Sequence, residues 1–145
     1  MAHPDLDEIA NVLLEFAQQM LAQHGEFFPF AASMQPDGQI AHIAAELGKE
    51  RPRSQEVLDV LYGSLSAQAA QGEIRAAGVC VDVRTIPPSA SEKIDAICVH
   101  LEHADGAVLE VFLPYIPATS GAPEYGEIFA TRATCQIFGG GRQTH

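Results

Sequence analysis

The stretch CVHLEHADGAVLEVF, Cys98 to Phe112, sets a cysteine, two histidines and two glutamates around one Asp-Gly turn. Register decides what such a hairpin offers. A two-residue loop at Asp105-Gly106 would set Leu101 against Glu110 and mix apolar with charged residues on one side. A three-residue loop, Ala104-Asp105-Gly106, sets Leu101 against Leu109, Val99 against Val111 and Ile97 against Leu113, which gives one unbroken apolar face. The other face then carries Cys98 opposite Phe112, His100 opposite Glu110 and Glu102 opposite Val108. In that arrangement Glu110 can orient His100 and raise its basicity for proton transfer, with Cys98 on the same face as a nucleophile. The plainer reading is a cross-strand polar pair worth about 0.2–1 kcal/mol. It is preferred here because no third catalytic group is identified.

The same residues raise a metal reading. If the strands holding Cys80 and Cys98 are neighbours, Cys80, Asp82, Cys98 and His100 could share a face, and zinc accepts such ligands at about 2.0–2.3 Å. The tight Cys/His knuckle of structural zinc sites is missing from the sequence, so no metal and no cofactor are expected. The remaining histidines read as ordinary surface: His3 and His145 fall near the ends, His42 faces Ala32 in an earlier hairpin, and His103 flanks the Asp-Gly turn. The glycines of GGGR have no GK[ST] or following helix to hold a phosphate, and no Gly-x-Ser-x-Gly, HExxH or GxGxxG motif occurs.

The elements that must position these residues are legible from periodicity. Ile9, Val12, Leu13, Phe16 and Met20 recur at helical spacing, Asp5 or Asp7 is placed to cap the start, and His24-Gly25 closes the end. FFPFAASM and QIAHIAA flank Pro36-Asp37-Gly38 as a hairpin in which Met34 faces Ile40. Pro29 marks its first strand as an edge strand or one that bends. After the polar link LGKERPRS, a helix from about Ser54 to Gln71 presents Leu58, Leu61, Tyr62, Leu65 and Ala69 as one stripe and stops at Gly72. Strands follow over Ala77–Ile86, Ile94–His103 and Ala107–Ile116. A loop, PATSGAPEYG, leads to a last strand, EIFATRATCQIF.

The fold class is therefore α+β: an antiparallel sheet of five to six strands in the order α-β-β-α-β-β-β-β, with both amphipathic helices packed on one face. Residues 1–138 form a single domain, and 139–145 have the composition of a flexible tail.

With 145 residues, the chain has enough length for one core. Eight Lys and Arg against nineteen Asp and Glu give a formal charge of −11, which disfavours nucleic acid and anionic membrane as partners. The basic residues Lys49, Arg51, Arg53, Arg75 and Arg84 gather in about a quarter of the chain and read as a solvated face. Three cysteines without CxxC spacing point to a reducing compartment, and the acidic start MAHPDLDEIA is unlike a signal peptide. The expected location is the cytoplasm.

HGEFFPFA, PDG, GEIRAA, DAICVHLEH, VFLPY and GEIFA together resemble an uncharacterised family of small bacterial proteins, over nearly the whole chain. That resemblance implies a compact bacterial domain and no particular activity. By order of elements alone, the chain also resembles a roadblock-like or profilin-like domain. The expected function is a non-catalytic protein-binding or assembly module, a homodimer whose second sheet face or edge strand meets its partner. The alternatives are a small enzyme using His100 and Glu110 with Cys98, and a ligand pocket between helices and sheet with PATSGAPEYG as lid.

Overall fold

The computed structural model describes residues 3–44, 53–88, 90–119 and 121–138. Two helices, α1 (Pro4–His24) and α2 (Ser54–Ala70), accompany strands β1 (Phe30–Met34), β2 (Ile40–Ile43), β3 (Ala76–Thr85), β4 (Ile94–His103), β5 (Val108–Ile116), β6 (Glu124–Tyr125) and β7 (Phe129–Thr131). The strands form one antiparallel sheet in the order β2-β1-β3-β4-β5-β6, with β7 also paired to β5. The α+β class and the element order are those expected. The tail 139–145 and most of the LGKERPRS link, with Lys49 and Arg51, lie outside the described residues.

Local chemistry sets the helix ends. Pro4 occupies the first turn of α1, where its missing N–H costs nothing, and Gly25 ends the helix at φ 75° with its N–H donated to the Leu21 carbonyl. The N-cap position belongs to His3, which makes no side-chain capping bond. Asp5 and Asp7 lie inside the first turn, favourable to the helix dipole but not capping residues as expected.

The main correction concerns the layers. β3 and β4 pair with Val79 opposite His100 and Cys80 opposite Val99, so the valines of β3 stand on the opposite face from Ile97, Val99 and Leu101. The sheet is therefore apolar on both faces, and each takes one helix. On one side α1 buries Leu6, Ile9 and Leu13 against Ala32, Ala76, Val99 and Leu101. On the other, α2 buries Val57, Leu61 and Leu65 against Ala31, Ala77, Val79 and Ile137. The expectation of both helices on one face fails because the apolar residues of β3 and β4 stand on opposite faces and each face needs its own cover.

Small residues at the start of β3 make this sandwich close. Ala76, Ala77 and Gly78 are buried, and a β-carbon on Gly78 would lie 2.7 Å from a Leu13 methyl and 2.8 Å from one of Ile9. β1 sits between β2 and β3, so Pro29 precedes an interior strand and does not mark an edge or a bend within one. The final stretch forms a strand only over Phe129–Thr131, and the short β6 arises inside the expected loop. Among the described residues, no helix is long and apolar enough to cross a membrane.

Gly78→Val should destabilise the fold by about 1–3 kcal/mol through overpacking against α1. Urea denaturation at constant m-value measures this, and unchanged stability would contradict the close approach.

Candidate functional site

The β4–β5 hairpin builds the site. Gly106 takes φ 102° and donates its N–H to the His103 carbonyl at 3.0 Å, closing the three-residue loop that the apolar pattern requires. Leu101 pairs with Leu109, Val99 with Val111, Cys98 with Phe112 and His100 with Glu110. His100 and Glu110 are thus brought together on the face beneath α2, as expected. That face is not open: His100 is 2% exposed and Cys98 6%.

The residue that organises it was not singled out from the sequence. Glu102, 0% exposed, places Oε2 at 2.6 Å from His100 Nε2, while His100 Nδ1 lies 3.0 Å from Glu110 Oε2. Glu102 also accepts three consecutive backbone N–H groups, from Gln136 at 2.6 Å, Ile137 at 2.9 Å and Phe138 at 3.0 Å. The C-terminal segment is therefore held by a buried carboxylate and does not continue as a strand. Ser66 of α2 fastens it from the other side by donating to the Gln136 carbonyl at 2.9 Å. Nothing local in EIFATRATCQIF announces this, because the signal is an acid thirty-odd residues upstream.

Burial works against an imidazolium at His100, but the hydrogen bonds and charges of Glu102 and Glu110 outweigh it and hold the pKa above its ordinary 6.5. Burial likewise opposes ionisation of Glu102, yet His100 and the three N–H groups hold its pKa below the ordinary 4.5. The favoured state is an imidazolium with both N–H groups donated, one to each glutamate. It has no free lone pair with which to act as a base. The Cys98 thiol is pushed up to about 12 by burial and then by the nearby Glu110 charge, which leaves it protonated and a poor nucleophile.

The metal set Cys80, Asp82, Cys98 and His100 does not assemble. Its strands are neighbours, but Cys80 pairs with Val99 and Asp82 with Ile97, which turns both away from Cys98 and His100. Asp82 instead accepts a 2.7 Å hydrogen bond from the Tyr115 hydroxyl.

Beside the buried triad lies a cavity of about 530 Å³ between α2 and the sheet. Val79, Val81, Val83 and Phe112 contribute apolar lining, and His100, Glu110, Tyr62 and Asp59 contribute polar groups. Tyr62 packs edge-on to His100 with ring centroids 5.8 Å apart, and burial followed by the Glu110 charge raises its phenol pKa. The PATSGAPEYG loop is not part of this cavity. Pro117, Glu124, Tyr125 and Gly126 from that loop line a separate one of about 590 Å³ at the sheet's end, so the expected lid lies elsewhere.

Comparison with family models, with curated proteins and with solved structures finds no match to this chain.

The ionised triad makes a signed prediction. Glu102 contributes stability above pH 4.5, which is lost as pH falls through its lowered folded pKa. His100 contributes fully below pH 6.5, and its contribution is lost as pH rises through its raised folded pKa. The triad is therefore most stabilising between those two values. In urea titrations across pH, the difference in stability between wild type and His100→Gln should shrink on the alkaline side, and a pH-independent difference would contradict the charged state. Glu102→Gln should cost about 3–5 kcal/mol, since it leaves the buried imidazolium with one partner fewer.

Proposed function

We propose that this chain is a non-catalytic binding module of a bacterial cytoplasm, and that its site is the cavity between α2 and the β3–β5 face. The observation that carries this reading is the saturation of His100, whose two ring nitrogens are both committed to carboxylates beside an accessible hollow. His100 thus has no ring nitrogen to spare for proton transfer, while the hollow falls within the range of about 300–1,000 Å³ typical of small-molecule sites. Its valine lining suits a compact apolar body. Glu110 and Asp59 suit a hydrogen-bond donor or an amine at the ligand's polar end, in keeping with a chain of formal charge −11. The cytoplasmic setting is supported by three free thiols, two of them buried.

A second reading, self-association, is favoured by the exposed apolar end of the sheet. Ile116 is 65% exposed beside Ile94, Pro114 and Tyr125, and Ile86 is 50% exposed. Pairing through sheet edges is less favoured, because β2, β6 and β7 are four, two and three residues long. The opposite sheet face, once expected to meet a partner, is occupied over β1, β3 and β4 by α2 and residues 136–138.

A thermal-shift screen of small apolar amines and alcohols tests the first reading. A true ligand at about a hundred times its Kd should stabilise the protein by about 2.7 kcal/mol. Val81→Trp, which fills the cavity, should abolish the shift, and Glu110→Gln should weaken it for amines more than for alcohols. No stabilising compound, or shifts indifferent to Val81→Trp, would reject it. For the second reading, light scattering should give a dimer that Ile116→Asp converts to monomer, and a wild-type monomer at high concentration would end it.

A further inference from the structure

On the opposite side of the molecule from this cavity, the tip of the β4–β5 hairpin meets the start of α1 through a cluster of imidazoles and carboxylates that the binding reading does not use. His3 Nε2 lies 2.9 Å from Asp105 Oδ2, and His103 Nδ1 lies 3.3 Å from Asp105 Oδ1. The two imidazole rings are 4.4 Å apart, centroid to centroid. One ligand atom from each of His3, His103 and Asp105 can be chosen so that all three lie within 4.8 Å of one another, and no other such group occurs among the described residues. We propose that His3, His103 and Asp105 form a site for a borderline divalent cation, zinc by preference, which clips the hairpin tip to the first turn of α1.

Four features support it. The first is donor chemistry: two imidazoles and a carboxylate select zinc and its neighbours over magnesium or calcium, and three protein ligands leave a position for water. Bonds of about 2.0–2.2 Å place tetrahedral ligand atoms roughly 3–4 Å apart, which small rotations of these side chains reach.

The second is the surrounding shell. His103 Nε2 lies 2.8 Å from Asp5 Oδ2, and Asp5 Oδ1 accepts from Arg75 at 3.1 Å. Asp5 thus accepts the Nε2 proton, which leaves the Nδ1 lone pair facing Asp105. A carboxylate behind an imidazole in this way orients the ring and strengthens it as a ligand. Without a cation that lone pair accepts only the Asp105 N–H, at 3.1 Å, within its own loop.

Third, His3 is placed but not saturated. Its Nε2 faces the Asp105 carboxylate, where a cation would replace a single hydrogen bond, while its Nδ1 has no hydrogen-bond partner. His100 differs on this point, since both of its nitrogens are engaged. Fourth, the site is reachable: the side chains of His103, His3 and Asp105 are 14%, 23% and 54% exposed. Sequence spacing could not have revealed the set, because His3 and Asp105 are separated by 102 positions and meet only when α1 packs on the sheet.

The test uses full-length protein without a polyhistidine tag, freed of metal with a chelator and dialysed. Titration with zinc by calorimetry, and with cobalt by visible absorption, should give saturable uptake of a single equivalent, a tetrahedral cobalt spectrum and a higher Tm with zinc. His103→Ala and Asp105→Asn should lose this uptake. Asp105→Asn keeps a side-chain oxygen for the Ala107 N–H that now bonds Asp105 Oδ1 at 2.9 Å, so it guards against mere misfolding. Asp5→Asn should weaken binding about ten- to a hundredfold while leaving the ligands in place. His42→Ala, on exposed β2, should bind as wild type. The proposal is overturned if wild type takes up no stoichiometric zinc or cobalt, or if folded His103→Ala and Asp105→Asn bind them with unchanged affinity.

Discussion

A carboxylate with no access to solvent governs this structure. An ionised glutamate in an interior costs several kcal/mol unless its charge and lone pairs are met, and Glu102 meets that demand with an imidazolium on one side and three successive peptide N–H groups on the other. Two consequences follow from that one requirement. The C-terminal segment leaves the sheet edge after β7 and is drawn across the opposite face. His100 is locked as a charged donor between Glu102 and Glu110, which removes the freedom a proton-transfer group needs.

The segment held in this way is also structural fill. Ile137 completes the apolar layer beneath α2, and Gln136 lines the adjoining cavity, so the buried charge indirectly shapes the hollow proposed as a binding site. A saturated polar network is rigid and specific, and rigidity next to an apolar hollow is suited to holding a ligand in one pose. The hairpin tip shows the opposite condition. There the imidazoles are partly exposed and His3 keeps an unmatched nitrogen, so the chemistry left over by the fold lies at the periphery and not at its centre.

Much of the local architecture is legible in the amino-acid order. The loop at Ala104-Asp105-Gly106 followed from rejecting a register that would have opposed Leu101 and Glu110. The pairs Leu101–Leu109 and His100–Glu110 came with it. Met34 opposite Ile40 followed from Pro36-Asp37-Gly38 in the same way. These inferences succeed because hairpin register depends on a turn and its flanking dozen residues. The metal set of Cys80, Asp82, Cys98 and His100 failed for the complementary reason. Its strands are indeed adjacent, but the long loop over residues 86–93 joins them, so no short turn fixes the register that puts Cys80 beside Val99.

The amino-acid order by itself determined what depends on near neighbours: helix spans closed by Gly25 and Gly72, two tight hairpins, and the meeting of His100 with Glu110 across one of them. Tertiary structure alone decided which face each helix covers, that Glu102 captures the N–H groups of residues 136–138, and that His3 reaches Asp105. The physical reason is one of range. Backbone preference and side-chain alternation act over a few residues, whereas a buried charge accepts any donor that folding brings within about 3 Å, whatever its place in the chain.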